Sequence, residues 1–250
     1  MENAPRYPGL GPSITPILVP LLLGRSRSFR DDALRLMKDV HPPAITLGTP
    51  PTSYDQGLVI AVNHYSRPGF GAWWIALSLA AAISQDIHWM MTSAWVYPDR
   101  LRSWTITPVS RWVIARIAHS YGFTTAPPMP PRTQDFSARA GAIRSLLRAL
   151  DRVPNPVLGI APEGFDSRDG SLQHPPDGVG HLLHHLWKRK MVIVPAGVYE
   201  ENGTLITRFG DSLPPGGRSA RSNGDRDQIL NQVMYGIAAC LPYSLRGVYA

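Results

Sequence analysis

Short apolar runs alternate along the chain with segments that have helical spacing. Four short runs rich in apolar residues lie at 57–62, 87–91, 157–161 and 191–195. Each is bounded by polar or turn-forming residues, as is typical of buried strands. The pattern therefore predicts buried strands at 57–62 and 157–161 and further strands at 87–91 and 191–195.

The segments between these runs predict helices. Ser28, followed three residues later by Asp31, resembles a capping box and predicts a helix that ends near Val40. Residues 70–84 are apolar on nearly every face, which indicates a core helix or one that partly faces lipid. Further helices are predicted at 112–119, 137–152 and 179–186. Strands that alternate with helices predict an α/β fold with a mostly parallel central sheet flanked by helices.

Three regions follow from this pattern. Residues 1–56 form a helical and Pro-rich N-terminal segment, 57–213 the α/β core, and 214–250 a C-terminal loop and helix that pack on the core. The apolar stretch 14–23 is interrupted by Pro16 and Pro20 and is shorter than the roughly 20 residues that a membrane span needs. It can still lie in a membrane interface. The N-terminus lacks the basic and apolar regions of a signal peptide.

The charge and the composition of the chain limit the partners and the compartment that it is expected to have. The 250 residues carry 25 Lys and Arg against 18 Asp and Glu, a net charge of +7. This excess predicts anionic partners such as phosphorylated substrates, acidic carrier proteins or membrane surfaces. The basic residues are dispersed and show no helix-turn-helix, RNP-like or zinc-finger pattern, which argues against nucleic acid. Because Cys240 is the single cysteine, an internal disulfide is excluded and a reducing compartment is expected.

Two polar clusters follow two of the predicted strands. Residues 63–69 read Asn-His-Tyr-Ser-Arg-Pro-Gly, and residues 162–170 read Pro-Glu-Gly-Phe-Asp-Ser-Arg-Asp-Gly. If the two strands are neighbours, the clusters meet at the carboxyl edge of the sheet, where α/β proteins usually place their chemistry. A His such as His64 can take a proton from a hydroxyl, while Arg and backbone N–H groups can hold a phosphate or an oxyanion. This combination suits acyl transfer to an alcohol.

At these residues the sequence resembles the lysophospholipid and glycerol-phosphate acyltransferase family. The family pattern has Asn-His, four residues and Asp after a strand, then Pro-Glu-Gly-Thr-Arg-Ser-Arg-Asp-Gly, then an apolar strand that ends in Val-Pro and small residues. Asn63-His64, Pro162-Glu163-Gly164 and Ile193-Val194-Pro195 match these blocks in order, and the resemblance covers roughly 57–213.

The resemblance implies a glycerol-phosphate acyltransferase-like fold and a peripheral enzyme of lipid metabolism at the cytoplasmic face of a membrane. His64 would deprotonate the hydroxyl of a lysophospholipid, glycerol phosphate or related acceptor. The alkoxide would then attack the thioester of an acyl-CoA or acyl-carrier protein, with no covalent acyl-enzyme and no cofactor beyond this co-substrate. The implied substrate-binding residues are Asn63, Arg67, Glu163, Gly164 and Arg168.

Two positions depart from the family pattern. Gly69 stands where the family has the Asp that orients the His, and Phe165-Asp166 replaces Thr-Arg, whose Arg binds the acceptor phosphate. We hypothesise that Asp166 supplies the missing carboxylate to His64 from the other block. Phosphate binding then passes to Arg168 or to another basic residue, such as Arg67 or Arg132, unless the acceptor is not a phosphate monoester.

Other interpretations stay open at this stage. The departures also fit a catalytically impaired member that binds lipid or a partner protein. His64 can be read as a cap of the following helix, and Glu163 as a brace of its loop through backbone N–H groups. His181, His184 and His185 have the spacing of zinc ligands, but no Glu completes an H-E-x-x-H motif, so a metal-dependent hydrolase is the weakest alternative.

Overall fold

The computed structural model describes residues 4–9, 14–52, 54–97, 99–128, 135–165, 167, 169–214 and 223–250. The helices are α1 Thr15–Leu22, α2 Phe29–Met37, α3 Trp73–Ala82, α4 Arg100–Tyr121, α5 Phe136–Leu150, α6 Val179–Lys188 and α7 Asn223–Ala239. The strands are β1 Ile45–Leu47, β2 Leu58–Val62, β3 Ile87–Thr92, β4 Thr124–Ala126, β5 Val157–Ile160, β6 Val192–Glu201 and β7 Thr204–Phe209. Two short 3-10 helices, Tyr243–Leu245 and Gly247–Tyr249, end the chain.

The strands form one sheet in the order β1-β7-β6-β2-β5-β3-β4. Neighbouring strands are parallel except for β6 and β7, which form an antiparallel hairpin. The prediction of an α/β fold with a mostly parallel sheet is therefore confirmed. β2 lies between β5 and β6, and its register pairs Ala61 with Ile160 of β5. The chain segments that follow β2 and β5 consequently start side by side at one edge of the sheet.

The burial of the central strands explains why their positions can be predicted from the sequence. Every residue of β2 and of β5 is buried, as expected for parallel strands covered on both faces. α2 packs on α3, while α7 packs on α6 and on β6. The helices at 70–84 and 28–40 begin and end a few residues inside the predicted bounds, as helix ends commonly do.

The edge of the sheet beyond β6 departs from the prediction. β6 extends to Glu201, six residues past the predicted end of the apolar run, and it turns through Asn202-Gly203 into β7. Asn202 and Gly203 have φ of 49° and 77°, the left-handed conformations that a tight hairpin turn requires. β1 and β4 have three residues each, which is too short to give a periodic pattern.

α4 is much longer than the helix predicted at 112–119. It begins after Asp99, whose side chain accepts a hydrogen bond from the backbone N–H of Arg102 at 2.9 Å, and it ends at Gly122 with φ of 70°. The first half contains Pro108 and carries apolar residues on its exposed face. Both features conceal the single apolar stripe by which a surface helix is normally identified.

Candidate active site

Asn63 follows β2 directly and is bound to β6 through both ends of its amide. Its Oδ1 accepts a hydrogen bond from the backbone N–H of Val198 at 2.8 Å, and its Nδ2 donates to the carbonyl of Val198 at 2.9 Å. The residue is 2% exposed. The amide thus continues the ladder between β2 and β6 past the end of β2, and it fixes the backbone from which the next residue, His64, projects.

Glu163 joins the loop after β5 to the loop after β2. Its Oε2 accepts a hydrogen bond from the backbone N–H of His64 at 2.7 Å, and its Oε1 accepts one from the backbone N–H of Gln173 at 2.7 Å. The residue is 1% exposed. A buried carboxylate needs such charge-assisted partners, because an ion without them would lose its hydration with no compensation. The Glu163 side chain therefore braces three chain segments through backbone groups.

The two loops also touch through glycine. Gly170 has φ of 75°, and a Cβ built on it would lie 2.7 Å from the carbonyl oxygen of Ser66 and 3.3 Å from the ring of Tyr65. Only glycine allows so close an approach in this conformation. Gly164 has φ of 70° and closes a turn in which its N–H donates to the carbonyl of Ala161 at 3.1 Å. The structure thus brings the two polar clusters together at the carboxyl edge of the sheet.

Arg67 belongs to a cluster that the sequence did not indicate. The Glu200 cluster, as we call it, consists of Tyr7, Tyr65, Arg67 and Glu200. The guanidinium of Arg67 binds the Glu200 carboxylate through Nε and Nη2, the latter at 2.7 Å, and donates from Nη1 to the carbonyl of Pro68 at 2.7 Å. The hydroxyls of Tyr7 and Tyr65 donate to the same carboxylate at 2.7 and 3.3 Å.

The Glu200 cluster has two electrostatic consequences. Burial, together with the negative charge of Glu200, raises the pKa of Tyr65 to about 12 and also raises the pKa of Tyr7, so both phenols stay protonated as donors. The Glu200 carboxylate in turn neutralises the charge of Arg67 and accepts hydrogen bonds from two of its nitrogens. Arg67 is thereby less suited to hold an acceptor phosphate than its position in the motif suggested.

Gly69 stands where the family pattern has Asp. It has φ of 84° and is exposed, and a Cβ on it would lie 3.4 Å from Nη1 of Arg67. A left-handed conformation at this position favours glycine over residues that carry a Cβ. Asp169, on the facing loop, accepts hydrogen bonds from the hydroxyl and the N–H of Ser171, which lower the pKa of its carboxyl.

Three residues of the sequence hypotheses, namely Asp166, Arg168 and Arg132, lie outside the described residues. Phe165, next to Asp166, is described and is exposed. The carboxylate and phosphate roles assigned to Asp166 and Arg168 stay predictions.

The three histidines of α6 do not converge on one point. His184 is buried, with its ring 6.2 Å from that of Trp187, whereas His181 and His185 are exposed. In the described part of the chain, no group of three or more His, Cys, Asp and Glu side chains is placed to hold a metal ion. The arrangement of α6 gives the metal-dependent hydrolase no support.

Four residues of the candidate site were not singled out by sequence analysis, namely Glu200, Tyr7, Tyr65 and Gln173. Glu200 lies 133 residues from Arg67, near the end of a strand that was predicted to be shorter. Tyr65 stood within the first motif and was available as a candidate. Nothing in the local sequence connects Tyr7 or Gln173 with this edge of the sheet, because their contacts depend on the packing of distant segments.

No protein-family model matches the chain, and no curated protein matches it either. Among solved structures, the chain is similar to the 1-acyl-sn-glycerophosphate (LPA) acyltransferase PlsC from Thermotoga maritima. The similarity has a TM-score of 0.49 at 13% sequence identity and covers 89% of this chain and 79% of that one. The roles proposed below rest on the contacts of this chain and on its motifs.

Proposed function

We propose that this protein is an acyltransferase that moves a fatty acyl group from an acyl-CoA or acyl-carrier-protein thioester to a lipid hydroxyl, with His64 as the general base. The observation that carries the proposal is the 2.7 Å hydrogen bond from the backbone N–H of His64 to Glu163. This bond joins the two motif blocks whose residues imply the chemistry. The acceptor class is a lysophospholipid, glycerol phosphate or a related alcohol.

The reaction balances without an acyl-enzyme. The His64 imidazole takes the proton of the acceptor hydroxyl, and the oxygen attacks the thioester carbonyl. Collapse of the tetrahedral intermediate breaks the C–S bond, and the imidazolium returns its proton to the departing thiolate. The products are an ester and the free thiol of the carrier. Backbone N–H groups or a basic side chain at the strand ends would stabilise the oxyanion.

The residues around His64 divide into positioning and binding roles. Asn63 and Glu163 fix the backbone of His64 through the contacts with Val198 and Gln173. Asp166 lies in the sequence between Glu163 and Gly170, both of which contact the segment that contains His64. We assign Asp166 the orientation of the His64 ring and Arg168 the binding of an acceptor phosphate. The backbone of Gly164 would contact the bound acceptor.

The test is thioester cleavage, followed as thiol release, with a panel of lysolipid, glycerol-phosphate and sugar acceptors. Wild-type protein should release thiol in proportion to ester formed, and His64→Ala should abolish both. His181→Ala, which removes an exposed histidine of α6, is the matched control and should leave the rate unchanged. Acceptor-dependent cleavage that persists in His64→Ala would refute the role of the base.

A second candidate function is supported by the conformation of Gly69. The glycine has φ of 84° in an exposed turn, a conformation that favours glycine, and it brings no carboxylate to this position. A chain that had lost its acyltransferase activity would retain the fold and bind a lipid or a partner protein. Binding of lysolipid without turnover for any donor and acceptor, in a protein with wild-type stability, would favour this alternative.

A further inference from the structure

The outward face of α4 carries an apolar stripe that no other described element covers. Leu101 and Trp104 are 72% and 79% exposed, and Trp112 is 49% exposed, with the exposed Pro108 between them. Spacings of three and four residues place these four side chains on one side of the helix. We call them the α4 stripe. The opposite side of α4 packs inward through Ser110, Ile114 and Ala118.

Arginines line both sides of the α4 stripe. At 3.6 residues per turn, Arg100 and Arg111 fall along one side and Arg102 and Arg116 along the other. The guanidinium of Arg116 lies 5.6 Å from the ring centre of Trp112. Residues 100–121 contain no Asp or Glu, and the capping Asp99 pairs with Arg102 at 3.4 Å. The surface is therefore apolar along its middle and positive along its flanks.

α1 extends this surface. The two helices pack together. Gly24, just past the end of α1, lies against the guanidinium of Arg116, whose Nη1 would be 2.7 Å from a Cβ built on Gly24. Exposed apolar side chains lie on the outward side of α1 and just past its end; they are Leu18, Val19, Leu22 and Leu23. Within the described residues, no helix is long and apolar enough to cross a membrane.

The chain leads into α4 from the sheet edge that carries the candidate active site. β3 is parallel to β5, which is parallel to β2, so the carboxyl ends of these strands share one edge of the sheet. The connection from β3 to α4 leaves that edge and exposes Trp95 and Val96 before the helix begins. The chain thus leads from this one edge both to His64, after β2, and to the α4 stripe, after β3.

We propose that the α4 stripe docks on an anionic bilayer, with Leu101, Trp104 and Trp112 in the interface and the flanking arginines on lipid headgroups. Exposed Trp and Leu side chains enter a membrane interface in this manner, and Arg side chains beside them bind anionic headgroups. The inference rests on the proposed function in one respect: docking would present acyl chains and lipid acceptors to the edge that carries His64. The membrane contact itself stands on the residues of α4.

The experiment is co-sedimentation of the full chain with vesicles made of equal parts phosphatidylcholine and phosphatidylglycerol, compared with pure phosphatidylcholine vesicles. The double variant Leu101→Ser, Trp104→Ser should weaken binding to both vesicle types by at least about tenfold. The double variant Arg111→Gln, Arg116→Gln should weaken binding to the mixed vesicles alone, by roughly fivefold for each arginine. All four side chains are at least partly exposed, and circular dichroism verifies that the variants fold.

Two controls make the result specific. Tyr243→Ser removes an aromatic ring that is 73% exposed and has the Arg246 guanidinium 6.0 Å from its centre, but lies outside α1 and α4. It should bind vesicles as the wild type does. His64→Ala should also bind normally, because vesicle binding needs no turnover. Failure of the acyltransferase assay therefore leaves this measurement valid, and normal acyl transfer without vesicle binding would overturn the docking proposal alone.

Three results would contradict the proposal. The first is wild-type protein that does not sediment with the mixed vesicles. The second is a stripe variant that binds as well as wild type. The third is a wild-type dimer in sedimentation equilibrium that the Leu101→Ser, Trp104→Ser variant converts to monomer without any change in vesicle binding, since the stripe would then be an interface between two copies of the chain.

Discussion

The backbone N–H of His64 donates to Oε2 of Glu163 across 99 positions of sequence, at 2.7 Å. The second oxygen of the same carboxylate binds Gln173 ten residues further along the chain. One buried acid thus joins the start of the loop after β2 to two points of the loop after β5. The Glu163 side chain therefore contributes to the position of the proposed base relative to the acceptor loop.

Glu163→Gln tests this dependence with little change in shape. The amide keeps one oxygen for a backbone N–H, but its NH2 group faces the other N–H, so one buried donor loses its acceptor. We expect the free energy of unfolding to fall by about 1–3 kcal/mol and acyl transfer to fall with it. Urea denaturation measures the first effect. Glu201→Gln, at the exposed end of β6, is the control and should change neither quantity.

Asn63→Ala should destabilise the fold because it removes both hydrogen bonds to Val198 at a site that is 2% exposed. Each of the two backbone groups left without a partner costs about 1–3 kcal/mol if water does not reach it. The drop in the denaturation midpoint should therefore greatly exceed that of Asn231→Ala, on the exposed side of α7. Equal midpoints for the two variants would show that the amide does not hold β2 to β6.

The sequence allowed the inner sheet to be predicted because β2 and β5 are buried on both faces, which leaves a continuous apolar run as a local signal. The Glu200 cluster had no such signal, since Glu200 reaches Arg67 only through the length of β6 and its register with β7. Asn202-Gly203 was the one local indication of that hairpin. The first half of α4 escaped prediction for the opposite reason: its apolar residues are exposed, and the buried residues of the helix begin only at Ser110.

His88 should make stability fall in mild acid. Burial lowers the pKa of this histidine in the folded chain, and its Nε2 lies 2.9 Å from the hydroxyl of Thr124. The unfolded chain therefore binds a proton at a higher pH than the folded chain does, so unfolding is favoured as pH falls below the unfolded value of about 6.5. Above that pH both states are neutral and the effect disappears.

His88→Gln should retain a hydrogen-bonding group beside Thr124 and remove the titration. The decrease in unfolding free energy between about pH 7 and about pH 5 should be shallower in this variant than in wild type. His181→Gln, in which an exposed histidine is replaced, is compared in the same denaturation series. Parallel pH profiles for wild type and His88→Gln would mean that this histidine is not responsible for acid sensitivity.

Gly69→Asp introduces the carboxylate of the family pattern into a backbone that is not shaped for it. At φ of 84° any residue with a Cβ is strained, although Asp adopts left-handed conformations more readily than most. The new Cβ would lie 3.4 Å from Nη1 of Arg67, so we expect the carboxylate to pair with that guanidinium and not with His64. Gly69→Ala, which has the strain without the charge, should be the less stable of the two variants.

Rates of acyl transfer then show which carboxylate, if any, orients the ring of His64. If Asp166 orients His64, Asp166→Asn should lower the rate of acyl transfer, and adding Gly69→Asp to that variant should not restore it. A Gly69→Asp protein that transfers acyl groups more than about tenfold faster than wild type would instead show that the loop can place a carboxylate on His64, because general-base catalysis responds to such a partner on this scale. The same result would identify the wild-type chain as an enzyme weakened at position 69.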